Sequence, residues 1–546
     1  MLRRESWMVS GRAALLLCAL ALAGAAASAA QRPEPGQRPA GARAAAAEGE
    51  QKSAEAGAGG AQAAKPKEEA EKPPVVTHHE IQIKGRTLKY TATAGLMPIS
   101  NADGEVEAHM FYIAYTLDDA PAHRPLVFAF NGGPGSASVW LHLGVIGPRR
   151  VRLESNGSMP RPPFELVDNE FTWLDQADLV FIDPVGTGYS RPVKPDLGKK
   201  FWSVQGDIES VGEFIRLYLT RNERWNSPLF LAGESYGTTR AAGLSGYLVE
   251  HGIALNGIVL VSTVLNFQTL EFARGNDVPY VLYLPTYTAT AWYHKKLPPD
   301  LQQQDLAKTL AEVKAWADTE YAAALARGDA MTPDERAAAV DKLSRYTGLS
   351  KTYVDEANLR IDEPHFCAEL LRDQKLIVGR LDSRFTGINA SGVSERTDYD
   401  PSEAGIRPPF TSMFNNYVRQ ELGYKSDVEY YILGGGVHGW EWLQNQRGYG
   451  GQGYADVGPS LREAFVKNPY MKLFVAMGYF DLATPFHAAE YTFDHLGLSD
   501  GLRGNVTSGY YSAGHMVYID GPSLSKLKAD VSSFVAGALA ASGAGR

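Results

Sequence analysis

The sequence predicts an α/β protein in which a mostly parallel central sheet is covered by helices on both faces and carries a largely helical insertion. Three observations predict it. Apolar runs such as "PLVFAFNGG", "ADLVFIDPVG", "SPLFLAGES", "NGIVLVSTV" and "MKLFVAMGYFD" recur along the chain. They have the continuous apolar character of strands buried on both faces. Helical patterns such as "GDIESVGEFIRLYLTRNERW" separate several of them, as parallel connections require. The interval 266–430 is instead rich in segments like "LAKTLAEVKAWADTEYAAALARG" and lacks buried-strand runs. It divides the expected core into a first part, 77–265, and a second, 431–546.

The elements follow in order. Arg3, Arg4 and Arg12 precede the run "AALLLCALALAGAAASAA", which closes in small residues, so residues 1–30 predict a cleaved export signal and a periplasmic or secreted location. The run is too short and Ala-rich for a good membrane anchor. Residues 31–76 are mostly Ala, Pro, Gly, Glu, Lys and Arg and cannot repay the entropy of ordering, so they predict a disordered low-complexity linker. From "HHEIQIKGRTLKYTATAG" onward, short alternating runs predict an N-terminal set of strands.

Of the 2 cysteines, Cys18 falls in the signal, leaving Cys367 alone and excluding an intrachain disulfide in the mature chain. Within "PHFCAELL", with no basic cluster to lower its pKa, Cys367 reads as a small buried hydrophobe. The formal charge of −9, without a basic tract, argues against a binder of nucleic acid or anionic membrane. No cofactor is implied. No His, Cys, Asp or Glu cluster has metal-ligand spacing, and "LGGGVHGW" lacks the Lys and frame of a phosphate loop, so it reads as a turn-rich connection.

The chemistry centres on "LAGESYG". Gly233-Glu234-Ser235-Tyr236-Gly237 matches G-x-S-x-G between an apolar strand and a helix, the context of a nucleophile elbow. A serine needs a base, and the base an orienting acid. In the Ser–Asp–His order of α/β-hydrolases, "LFVAMGYFD" supplies Asp481 and "YYSAGH" supplies His515. The other histidines precede the elbow, lie in or near the insertion, or sit on the helix after Asp481. An oxyanion hole needs two backbone donors: Tyr236 offers one, and the turn "NGGPGSAS" after an apolar strand offers the other.

Together, "NGGPGSAS", "DPVGTGYSRP", "GESYG", "GYFDLATP" and "SAGHMV" resemble the serine carboxypeptidase family, in its exported bacterial branch. The resemblance runs from about residue 80 to the C-terminus. It implies an α/β-hydrolase that removes residues from the C-terminus of peptides, with Ser235, Asp481 and His515 as triad and the N–H groups of Gly133 and Tyr236 as oxyanion hole. It further implies recognition of the substrate's free carboxylate by Asn131 and by a protonated Glu234, since two adjacent carboxylates do not both stay charged.

Two departures stand out. Val145 in "GVIGPRRV" occupies the place of a second network Glu, and Ser136 replaces the family's Cys. Arg149 and Arg150 follow, and two readings stay open for them: one reaches the substrate carboxylate, or both form surface ion pairs. Two alternatives to a carboxypeptidase also remain, an esterase or acyltransferase using the same triad, and a non-catalytic binding protein of the same fold.

Overall fold

The computed structural model describes residues 73–121, 123–443 and 453–541, so the expected signal and most of the linker lie outside the described residues. Nine strands form the continuous path of the main sheet: β1 Val75–Ile83, β2 Arg86–Ser100, β3 Val106–Leu117, β4 Leu126–Phe130, β5 Asp178–Ile182, β6 Leu229–Ser235, β7 Gly257–Thr263, β8 Lys472–Gly478 and β9 Val506–Tyr511. Their order is β1-β2-β3-β5-β4-β6-β7-β8-β9, and Arg191–Pro192 pairs with β3 off this path. Pairing is antiparallel from β1 to β5 and parallel from β5 to β9. β1 begins at Val75, ahead of the expected core boundary at 77, because Val75 and Val76 already pair with Ala94 and Thr93.

Side chains of the parallel strands alternate between two cores, as the period of two requires. In β4, Leu126, Phe128 and Phe130 join one cluster with α1 (Val204–Arg221) and α2 (Tyr236–Glu250). Val127 and Ala129 join the other. Strands buried on both faces read as unbroken apolar runs, which is why these were visible in the sequence. Ser203 caps α1 by accepting from the N–H of Gly206. This strand order, with β5 between β3 and β4 and helices on both faces, is the α/β-hydrolase fold.

Between β7 and β8 the chain builds a series of helices, from α3 (Val278–Tyr293) to α4 (Pro401–Gln420), and an antiparallel hairpin of Leu376–Val378 with Thr386–Ile388. Tyr283, Val313, Trp316, Tyr346 and Phe366 form an apolar core of this region, which Leu482 of the catalytic edge enters. Cys367 is buried here, and its thiol donates to Glu363. Helix α4 behaves differently. Its Phe410 and Phe414 pack into the sheet's own core, with the Phe410 ring 5.1 Å from that of Trp140. α5 (Phe486–Asp494) lies between β8 and β9, and the C-terminal α6 (Gly521–Ala541) follows β9. No helix among the described residues is long and apolar enough to cross a membrane.

Candidate active site

Ser235 ends β6 and begins the turn into α2 at φ 60° and ψ −132°, a left-handed conformation that costs a non-glycine residue energy and holds its side chain off the sheet edge. The bend is compact. A Cβ on Gly233 would lie 2.2 Å from the carbonyl oxygen of Gly237, and one on Gly132 would lie 2.3 Å from the backbone nitrogen of Tyr236. The glycines therefore bring the turn after β4 directly against the elbow.

His515 follows β9 and Asp481 follows β8, so both stand at the same carboxyl edge of the sheet as Ser235. His515 Nδ1 lies 2.9 Å from Asp481 Oδ2. The other carboxylate oxygen accepts the N–H groups of Ala483 and Thr484 at 2.9 and 3.0 Å, and the Thr484 hydroxyl donates to Oδ2 at 2.7 Å. The imidazole is thus held in one orientation. Burial pulls its pKa down, but the charge and hydrogen bond of Asp481 together with the charge of Glu234 outweigh it, and the net shift is upward.

The backbone around His515 is also clamped. Its N–H donates to the carbonyl of Leu381 at 2.6 Å, and its own carbonyl accepts the Ser262 hydroxyl at 2.6 Å. Ser262 reaches it from a register shift near the end of β7, where φ is 55°.

Asn131, just past β4, donates from Nδ2 to Glu234 Oε1 at 3.0 Å and accepts the Leu141 N–H on its amide oxygen at 3.0 Å. Its carbonyl accepts from Arg240 at 2.6 Å, and Arg240 in turn pairs with Asp207 at 2.7 Å, both side chains being buried. Glu234 is buried with Oε2 lacking a hydrogen-bond partner. Burial raises its pKa to about 7, against opposing pulls from His515, Tyr518 and Asn131. The Tyr518 hydroxyl lies beside this carboxyl, close enough to favour its ionisation though not in an aligned hydrogen bond. The Tyr518 ring lies against Gly144, where a Cβ would come within 2.3 Å of it.

Asn131, Gly132, Gly133, Glu234, Ser235 and His515 line one cavity of about 230 Å³. A larger cavity of about 770 Å³, bordered by Lys314, His487 and Tyr510, contains none of the expected site residues. Asp481 sits behind His515, fully buried, and the Tyr236 backbone nitrogen packs closely against Gly132. Chemically the set combines a hydroxyl on a strained turn, a base oriented by a carboxylate, and a neutral-capable carboxyl a few atoms away.

Arg149 and Arg150 do not reach this cavity. Arg149 pairs with Asp168 on the adjoining short strand and with Glu421 just past α4, while Arg150 feels the charge of Glu170 but its pKa is lowered by burial. Val145 is fully buried among apolar side chains.

Three parts of the site were missed in the sequence. The Asp207–Arg240 pair fixes Asn131 from beneath. The segment "LGGGVHGW" covers the N-G-G-P-G turn: the Gly434 N–H donates to the Gly135 carbonyl at 2.9 Å, and the Trp440 ring stands 5.2 Å from that of Tyr236. The hairpin turn "GRLDSR" braces the loops that carry Asp481 and His515, with the Leu482 N–H on the Arg380 carbonyl at 3.0 Å and the Gly514 N–H on Asp382 at 3.1 Å. Only the local pattern G-R-x-D-S-R of charged and small residues outside any periodicity would have marked such a turn, and that is a weak signal.

The fold and this arrangement of Ser235, His515 and Asp481 define a protein of the α/β-hydrolase class. The family model described as serine carboxypeptidase matches residues 84–378, more than half of the chain, and the chain belongs to that family. It is 34% identical over 206 residues to serine carboxypeptidase-like 16 of Arabidopsis thaliana, covering 34% of this chain and 45% of the relative. It is 33% identical over 159 residues to the pheromone-processing carboxypeptidase KEX1 of Saccharomyces cerevisiae, covering 26% of this chain and 20% of that protein. The matches thus span less than half the length of these curated relatives. The crystal structure of the KEX1 prohormone-processing carboxypeptidase superposes with a TM-score of 0.48 at 18% identity, covering 81% of this chain and 91% of that one.

Proposed function

We propose that this chain is an exported serine carboxypeptidase that releases residues from the C-terminus of peptides through an acyl-enzyme on Ser235. The observation that carries the reading is the buried Asn131–Glu234 pair beside Ser235, whose carboxyl keeps one oxygen unpartnered and holds its proton up to about pH 7. A protonated carboxyl and an amide are the donors that a free substrate carboxylate needs in a buried pocket.

In this reading the Ser235 hydroxyl attacks the last peptide carbonyl while His515 takes its proton. The oxyanion then gathers the N–H groups of Gly133 and Tyr236. Collapse breaks the C–N bond, and His515 returns the proton to the departing amine. Water, deprotonated by the same imidazole, hydrolyses the ester and regenerates Ser235. No metal or cofactor enters these steps. The export signal in residues 1–30 supports a periplasmic or secreted location, where peptide substrates would be met outside the cytoplasm.

The apolar Val145 supports a second reading, an esterase or acyltransferase, because it leaves the carboxylate site with one fewer polar group. The test compares a blocked dipeptide with a free C-terminus against its C-terminal amide and against an ester of the same acyl residue. Faster cleavage of the free acid than of the amide supports the carboxypeptidase. Equal peptide rates with dominant ester hydrolysis support the alternative. Labelling by a serine-directed phosphonate probe, lost in Ser235→Ala, separates both from a non-catalytic binding protein.

A further inference from the structure

Arg380 is the one lysine or arginine lining the 230 Å³ cavity that holds Ser235 and His515. It arises from the hairpin turn that braces the catalytic loops: its carbonyl accepts the Leu482 N–H at 3.0 Å, while the next residue's carbonyl accepts the His515 N–H at 2.6 Å. Its backbone is therefore fixed relative to both catalytic loops. Its side chain is not tied down to the same degree. The Nε atom makes a loose ion pair with Glu363 at 3.5 Å, the side chain is 51% exposed, and its two terminal nitrogens make no hydrogen bond among the described residues.

The acids around it have other work. Asp400 accepts the N–H groups of Arg380, Leu381 and Ser402 at 3.1, 3.0 and 2.8 Å, as the cap of α4. Glu403 pairs with Arg407 at 3.0 Å, and the second oxygen of Glu363 accepts from the Cys367 thiol at 3.2 Å. A guanidinium presents a planar fork that matches a carboxylate in two parallel hydrogen bonds. Such a fork left open toward a cavity beside a nucleophile is a receptor for an anionic group.

We infer that Arg380 is a specificity-determining residue that selects peptides carrying a carboxylate side chain, Asp or Glu, on a residue flanking the scissile bond. This rests on the carboxypeptidase reading. The substrate's own C-terminal carboxylate falls to Asn131 and Glu234, and the guanidinium adds a second anion site within the same cavity. Because the side chain is partly exposed, its effect is a preference and not an absolute requirement.

The experiment measures release of the last residue from blocked dipeptides that differ by one atom group: Glu against Gln in the last position, and separately Glu against Gln in the penultimate position. The wild-type enzyme is expected to favour Glu over Gln by about tenfold in kcat/KM in one of the two positions, the scale of one charged hydrogen-bonded contact. The position that responds tells which flanking residue Arg380 meets. In Arg380→Gln the Glu/Gln ratio should fall to about 1, and Arg380→Lys should retain part of it, as a charge without the fork.

The ratio is read within each enzyme, so a general loss of activity does not disturb it. A wild-type ratio near 1 in both positions, a preference for Lys over Gln, or a Glu preference that survives in Arg380→Gln overturns the inference. Release of neutral residues with no Glu preference overturns this inference alone. No release from any free-acid peptide, with ester hydrolysis intact, overturns the carboxypeptidase reading and this inference with it.

Discussion

Asn131 Nδ2 meets Glu234 Oε1 at 3.0 Å while the second oxygen of Glu234 stays buried without a partner. This relationship makes the site's pH behaviour readable. In the proposed role, Glu234 would recognise a substrate carboxylate only while protonated, so its contribution would be present below about pH 7 and lost as pH climbs through that value. His515 must lose its proton to act, which favours higher pH. Peptide and ester profiles should therefore diverge above about pH 7: peptide kcat/KM falls, while ester kcat/KM holds or rises. In Glu234→Gln, which hydrogen-bonds but does not titrate, the alkaline fall for peptides should vanish. Rate profiles from pH 5 to 9 with one peptide and one ester check it.

Tyr518 gives a finer version of the same measurement. Its hydroxyl favours the ionised form of Glu234, so Tyr518→Phe should raise the carboxyl's pKa further. The alkaline limb of peptide kcat/KM then moves to higher pH, and the ester profile does not follow. Peptide and ester limbs that shift together, or a peptide limb that shifts down, would count against Tyr518 as a neighbour that tunes Glu234.

Asp481 has every carboxylate lone pair directed by Ala483, Thr484 or His515. Asp481→Asn keeps the volume but presents an amide to the imidazole, favouring the wrong tautomer. A loss of about three to four orders of magnitude in kcat is expected, with KM much less changed. Steady-state kinetics on the ester substrate measure it without involving Glu234.

Beneath Asn131, the side chains of Arg240 and Asp207 are 1% and 3% exposed. Removing one partner strands a buried charge, so Asp207→Ala should lower unfolding free energy by roughly 3–5 kcal/mol, whereas replacing both with apolar residues should cost less. Denaturant titration of the single and double variants tests this. The single variant should also raise KM for free-acid peptides more than for esters, because Asn131 loses its anchor.

Legibility in the sequence followed the range of the interactions. The parallel strands were readable because β4 through β8 are buried on both faces and leave unbroken apolar runs. Ser235 and His515 were proposed from strand ends, and Asn131 from the family resemblance; the fold brings all three to one cavity. Arg149 is taken up by Asp168 and Glu421, partners that lie on a separate short strand and just past the end of α4, and no pattern near it in sequence marks them. Arg380 escaped notice because nothing local marks it. Its position is set by hydrogen bonds to loops far along the chain, and these leave no periodic trace in "GRLDSR".

The same hairpin turn bears on how this scaffold tolerates rearrangement. Because one short turn from the interval between β7 and β8 grips the loops that carry the acid and the base, that interval is not an exchangeable module. A chimera that imported a relative's helices and their hairpin would replace the brace, and the loops that carry Asp481 and His515 would lose these hydrogen bonds. Changes to side chains that point off the brace, Arg380 among them, leave these backbone hydrogen bonds in place.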